Sequence, residues 1–266
     1  MANSTEKREL FNSKSQVHKD AIKKILENEK KILATIGKEP SEVAHKKIGL
    51  CEQMIHAATR YIAINELSFS ILELKNNDAL NEARKILYKA IIYLENVVTN
   101  GIDIAFSDID DKLALIADYD LSKRYYLVRK LGLCIRLLVD AFGDNSKWKW
   151  SFVEIQGRFA TVMKNMLDWK QAVKVYFSSD SPDYSTTVFY IRMVRKNLDL
   201  SAKEYRDRYE LATHRIDDMR AALNYIGAGR RIAMVIEEKE DAEEMKKKYQ
   251  VWKEKLENDQ KKGLAT

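Results

Sequence analysis

Apolar residues recur along this chain in steps of three and four, the spacing that keeps side chains on one face of an α-helix. From Glu6 to Ile36 the residues Phe11, Ile22, Ile25, Leu26, Ile32, Leu33 and Ile36 follow that spacing, and Gly37 supplies a stop. A second helix is predicted to start at Pro40 and Ser41. Within it Ala44, Ile48, Cys51, Ile55, Ala58, Ile62, Asn65, Phe69 and Leu72 form an unbroken seven-residue repeat, roughly 50 Å long at 1.5 Å per residue. Asn76-Asn77-Asp78 then predicts a turn with Asp78 as N-cap, and Ala83, Leu87, Ala90, Leu94 and Val97 continue the rhythm to Asn100-Gly101.

A shorter helix is predicted through Ile102, Phe106, Ile109, Leu113 and Ile116, and another through Leu127, Leu131, Cys134, Leu138 and Ala141 before Gly143. From Ser146 the repeat Trp148, Phe152, Ile155, Phe159, Val162, Met166, Trp169, Val173 and Tyr176 predicts one long helix that tolerates Gly157. The run Ser178-Ser-Asp-Ser-Pro-Asp is the clearest loop, with Pro182 placed for a first helical turn. It sets the expected boundary between an N-terminal helical region, residues 1–178, and a C-terminal one, residues 179–266. Beyond it a helix over Tyr184 to Leu198 is expected, then a capping box at Ser201-Ala-Lys-Glu204 opening a helix through Tyr205 to Ile226. Gly227-Ala-Gly229 is expected to break the chain before a last charged helix from Arg230 to Gln260.

With 9 Gly and 2 Pro in 266 residues, and 45% hydrophobic residues to fill a core, the elements should be few and long. The expected fold class is all-α: a bundle or elongated array of long antiparallel helices with coiled-coil-like packing. A solenoid of equal helix pairs fits less well, since the helices starting near Ser41 and Ser146 would each consume a whole repeat.

The net charge of +6, from 46 basic and 40 acidic residues, permits an anionic partner and requires none. The first residues lack the apolar segment of a secretory signal, and the most apolar run, Leu127 to Phe142, is interrupted by Arg129, Lys130, Arg136 and Asp140. A cytoplasmic protein without membrane insertion is expected.

Local chemistry is sparse. Cys51 and Cys134 occupy core positions of their repeats, where a thiol behaves as a small hydrophobe. Glu52 and His56 lie close on one helix, but the spacing is that of neither HExxH nor ExxH. The acids Asp103, Asp108, Asp110, Asp111, Asp118 and Asp120 lack the central Gly of a calcium loop, and are expected to meet basic residues of a neighbour or partner. Gly227-Ala-Gly229 lacks the strand and third Gly of a dinucleotide fingerprint. No catalytic residue, metal ligand or cofactor site is assigned.

The last helix carries a narrow stripe flanked by dense charge, which suits a seam between two helices. Val235, Ala242, Met245, Tyr249, Trp252 and Leu256 are the interface candidates. The expected role is that of a structural or scaffold protein associating through helices, with a protein partner or with its own copies as a homo-oligomer. Asn65, polar inside an apolar repeat, is expected to fix register or partner choice. The alternatives are a nucleic-acid-binding helical protein, using the basic clusters near Arg192 and Arg230, and an all-α enzyme whose site is assembled from distant helices.

Overall fold

In the computed structural model, which describes residues 4–143 and 148–265, the chain is all-α, with no strand among the described residues. Its helices are α1 (Ser4–Ala34), α2 (Pro40–Leu72), α3 (Asn77–Val97), α4 (Asp110–Ala114), α5 (Leu121–Phe142), α6 (Lys149–Asn165), α7 (Trp169–Tyr176), α8 (Tyr184–Arg208), α9 (Ile216–Val235) and α10 (Lys239–Lys261). Among the described residues no helix is long and apolar enough to cross a membrane. The chain divides into two compact units, residues 1–97 with 126–148, and residues 98–125 with 149–266. The loop at Ser178 to Asp183 therefore lies inside the second unit. The division follows tertiary packing, because residues 98–125 belong with the later helices.

The first unit is a helical bundle of α1, α2, α3 and the greater part of α5. Pro40 opens α2 in its first turn, where a missing N–H costs nothing. The Glu39 carboxylate caps it, accepting from the N–H groups of Ser41 at 3.1 Å and Glu42 at 2.5 Å. Those two bonds hold the carboxyl below its usual range. The repeat from Ala44 to Asn65 is buried as its spacing demands, and ends at Phe69, which is exposed.

Asn65 has a local task. Its Oδ1 accepts from the Asn76 backbone N–H at 2.9 Å, and Asn76 in turn caps α3 by accepting from Ala79 N–H at 3.0 Å. The cap is thus Asn76 where Asp78 was expected, and the buried amide secures the α2–α3 turn. Ile22 of α1, Ile64 of α2 and Ala79 of α3 share one apolar cluster with Phe11, Leu26 and Tyr61 around them. Beside it the buried Glu29 accepts from Lys89 Nζ at 3.0 Å and from the Tyr93 hydroxyl.

The second unit is more broken than its apolar spacing predicts. Residues 102–116 form only a 3-10 turn, Phe106–Ile109, and the five-residue α4. The expected long helix through Tyr176 is split, because Leu167 and Asp168 leave the helix and the Asp168 carboxylate restarts it as α7, accepting from Gln171 N–H at 3.0 Å. Its expected start at Ser146 lies outside the described residues. Ser201 opens no helix: Leu198, Ala202 and Tyr205 continue the buried face of Tyr190, Ile191 and Val194, and α8 runs through. The interruption comes at a π-turn, Tyr209–Thr213, ended by His214 at φ 50° and pinned by buried Asp218, which accepts from Arg208 and, at 2.5 Å, from Thr213 Oγ1.

Two glycines expected to be neutral or to break helices are instead close contacts. A Cβ on Gly157 would lie 2.6 Å from both the Tyr205 ring and the Tyr225 hydroxyl. One on Gly229 would lie 3.3 Å from Met245 Sδ, so α9 continues through Gly227 and Gly229 while α10 approaches closely. The chain turns only at Glu237, in the left-handed region at φ 61°.

Candidate functional site

The stripe of the last helix is largely filled by its own unit. Ala242, Trp252 and Leu256 are buried, and α10 lies along α9. Its flanks are tied to α8 and its continuation: Lys248 reaches Asp199 at 2.8 Å, Arg195 reaches Glu238 at 2.5 Å and also Asp241, and the Tyr209 hydroxyl donates to Asp259 at 2.8 Å. Two cations approach the Trp252 ring, Arg206 at 4.8 Å and Lys248 at 4.9 Å from its centre. Val235, at the end of α9, and Met245, against Gly229, are half-buried, and Tyr249 is the most exposed of the six. Of the six interface candidates, Ala242, Trp252 and Leu256 thus form core, where an outward seam was expected. Charge beside a narrow apolar stripe marks a helix that packs on one side, and does not say on whom.

An outward apolar line occurs instead on α5. This helix buries Leu127, Leu131, Cys134 and Leu138, as their spacing predicts. Its other side carries Tyr126, Leu133 and Leu137, which are 54%, 59% and 42% exposed. At about 100° per residue these three fall within about 40° of arc. Arg129, Lys130 and Arg136 are exposed around them, with Asp140 the one acid, 3.9 Å from Arg136. The signal was present in the sequence, in a helix with one apolar set at steps of four and three and a second, Tyr126, Leu133 and Leu137, at steps of seven and four.

The most perturbed cation of the second unit is Lys164, 0% exposed. Its Nζ donates to Asn165 Oδ1 at 2.9 Å and lies 5.6 Å from the centre of the Phe106 ring, which stacks on Trp169. The Asn165 amide donates to the carbonyls of Thr99 at 3.1 Å and Gly101 at 3.0 Å. Burial, reinforced by the Arg231 guanidinium, pushes the Lys164 ammonium down to about 8. A lysine so tuned has the proton affinity of a nucleophile, but protein covers it on every side, so no substrate reaches it as the chain stands.

The remaining sequence candidates take structural places. Burial pushes the Cys51 and Cys134 thiols up, as the core positions predict. Glu52 and His56 gain no further ligand: no group of three or more His, Cys, Asp or Glu among the described residues is arranged to hold a metal ion. Asp103 meets Arg231 at 2.5 Å, the kind of partner expected for that acidic stretch.

Fold and surface together define a helical-bundle protein whose last helix is committed to its own core and whose α5 shows an apolar line outward. Residues 7–260 match the TP0443 family, and the chain belongs to it. Neither a curated protein nor a solved structure matches the chain.

Proposed function

We propose that the protein works by helix-mediated association, as a scaffold or assembly component, and that its docking face is the outer side of α5. The observation that carries this reading is the line of Tyr126, Leu133 and Leu137 on one helix, since apolar residues scattered singly over a surface would need no explanation. The basic fringe selects the occupant. Arg129, Lys130 and Arg136 against Asp140 favour an acidic amphipathic helix of another protein, laid along that face with its apolar residues inward. A second copy is disfavoured there, because a two-fold pairing sets like charges against each other.

A photo-crosslinking residue placed at Leu133 is expected to trap an acidic protein that the same residue at Val251, exposed on α10, does not. Trapping nothing, or the same products from both positions, would sink the proposal. Size-exclusion chromatography with light scattering, at low and high salt with absorbance at 260 and 280 nm, checks the competitors. A monomer free of nucleic acid is expected. A salt-resistant oligomer abolished by L133D/L137D would replace the acidic partner with a second copy, and salt-labile nucleic acid in the peak would overturn the reading.

A further inference from the structure

The second unit contains a cleft of about 390 Å³ that the docking reading does not use. Its size lies in the range of small-molecule sites. Leu113, Leu167 and Val175 supply apolar wall, while four aspartates line it against two cations, Arg124 and Lys170, in a chain whose overall balance is basic. Two of those acids are occupied at home: Asp120 accepts from Lys123 N–H at 2.8 Å at the start of α5, and Asp168 caps α7. The carboxylates of Asp110 and Asp183 have no hydrogen-bond or ion-pair partner among the described residues.

Arg124 does not neutralise them. It is 6% exposed, and its guanidinium donates to the carbonyls of Ile116 at 2.7 Å, Tyr119 at 2.7 Å and Met166 at 3.4 Å, which fixes it as a buried clamp for the surrounding backbone. A separate observation points to a ligand. Thr187 lines the same cleft, is 0% exposed, and its hydroxyl has no hydrogen-bond partner. A buried hydroxyl left unpaired is costly and uncommon, and a polar group bound in the cleft would satisfy it.

We propose that this cleft binds a small organic amine. The ammonium is held by Asp110 and Asp183, the Thr187 hydroxyl accepts a hydrogen bond from it, and a short apolar body lies against Leu113, Leu167 and Val175. A metal ion is the poorer occupant, because the described residues offer no group of ligands arranged for one. The cleft takes Leu121 and Arg124 from the start of α5 but none of Tyr126, Leu133 and Leu137, so success or failure at either site leaves the other standing.

Isothermal titration of the full chain with n-hexylammonium chloride, and separately with sodium hexanoate, tests the assignment. Saturable binding of the amine at one site per chain is expected, with no binding of the carboxylate. The D110N/D183N variant should lose about tenfold in affinity at an unchanged melting temperature, since neither side chain holds a partner in the fold. T187V should lose severalfold, and K170E, which removes a competing cation from the wall, should gain severalfold. Absence of saturable heat, equal binding of hexanoate, or amine binding indifferent to D110N/D183N would each overturn the proposal. Because K170E adds an attraction where the other variants remove one, loss of folding in any single variant leaves the test intact.

Discussion

The two units solve the burial problem differently. In the first, long helices bury continuous apolar faces, and the buried Glu29 and Asn65 are bonded: Glu29 takes Lys89 and Tyr93, and Asn65 takes the Asn76 backbone. In the second, helices are interrupted at Leu167–Asp168 and Tyr209–Thr213, and the interior holds Arg124, Lys164, Thr187 and Asp218. Burial of such groups is unfavourable unless each is fully bonded. The contrast teaches that the first unit is specified by register, while the second retains polar features whose cost is borne by the surrounding apolar core.

The largest test strikes that core. Trp252→Ala should remove about 3–5 kcal/mol from the second unit. Calorimetry is expected to show its transition lowered while that of the first unit stays; a common shift of both would erase the distinction. Next comes Lys164. Its folded pKa, about 8, lies below the ordinary 10.5, so between those values the folded state holds fewer protons than the unfolded one and stability rises with pH. Below pH 8 the full cost, about 3 kcal/mol at 1.36 per unit, is present. Lys164→Met should therefore stabilise the unit at pH 7, by that amount less about 1 kcal/mol for the hydrogen bond Asn165 loses, and should flatten denaturation profiles between pH 8 and 10.5. Destabilisation at pH 7 would mean the ammonium is better solvated than its burial implies.

Gly157→Ala drives a methyl into Tyr205 and Tyr225 and should cost about 2 kcal/mol in urea titrations. Asn65→Leu breaks the comparison from the other side. Were the first unit specified by apolar register alone, the change would stabilise it; loss of the bond to Asn76 should instead destabilise it by about 1 kcal/mol. The smallest effect is expected for L133D/L137D, within about 0.5 kcal/mol on stability, since both side chains are outside the core.

How far these features were legible follows from the same contrast. The repeat of α2 and its start at Pro40 were readable because spacing, proline and burial agree. The break at Asp168 was not, since apolar spacing runs unbroken across it from Val162 through Met166 and Trp169, and no Gly or Pro marks it. Gly227 and Gly229 were misleading for the opposite reason: in this helix glycine admits Met245 where elsewhere it ends a turn. Asn65 was visible as an anomaly, but its partner is a backbone N–H eleven residues on. The cleft had no local signature, because Asp110 comes from α4, Arg124 from α5 and Asp183 with Thr187 from the start of α8, and the informative atom is a hydroxyl without a partner.

One further consequence lies in the placement of the cysteines. Both belong to the first unit, Cys51 wholly buried in α2 and Cys134 facing it from α5 at 3.9 Å from the Ile55 carbonyl; the second unit has none. With their thiols held protonated and covered, alkylation can proceed only through opening of the structure. The chain thus carries its own clock for one half of itself: the rate of maleimide capture times the breathing of the first unit and is silent about the second, without any added label.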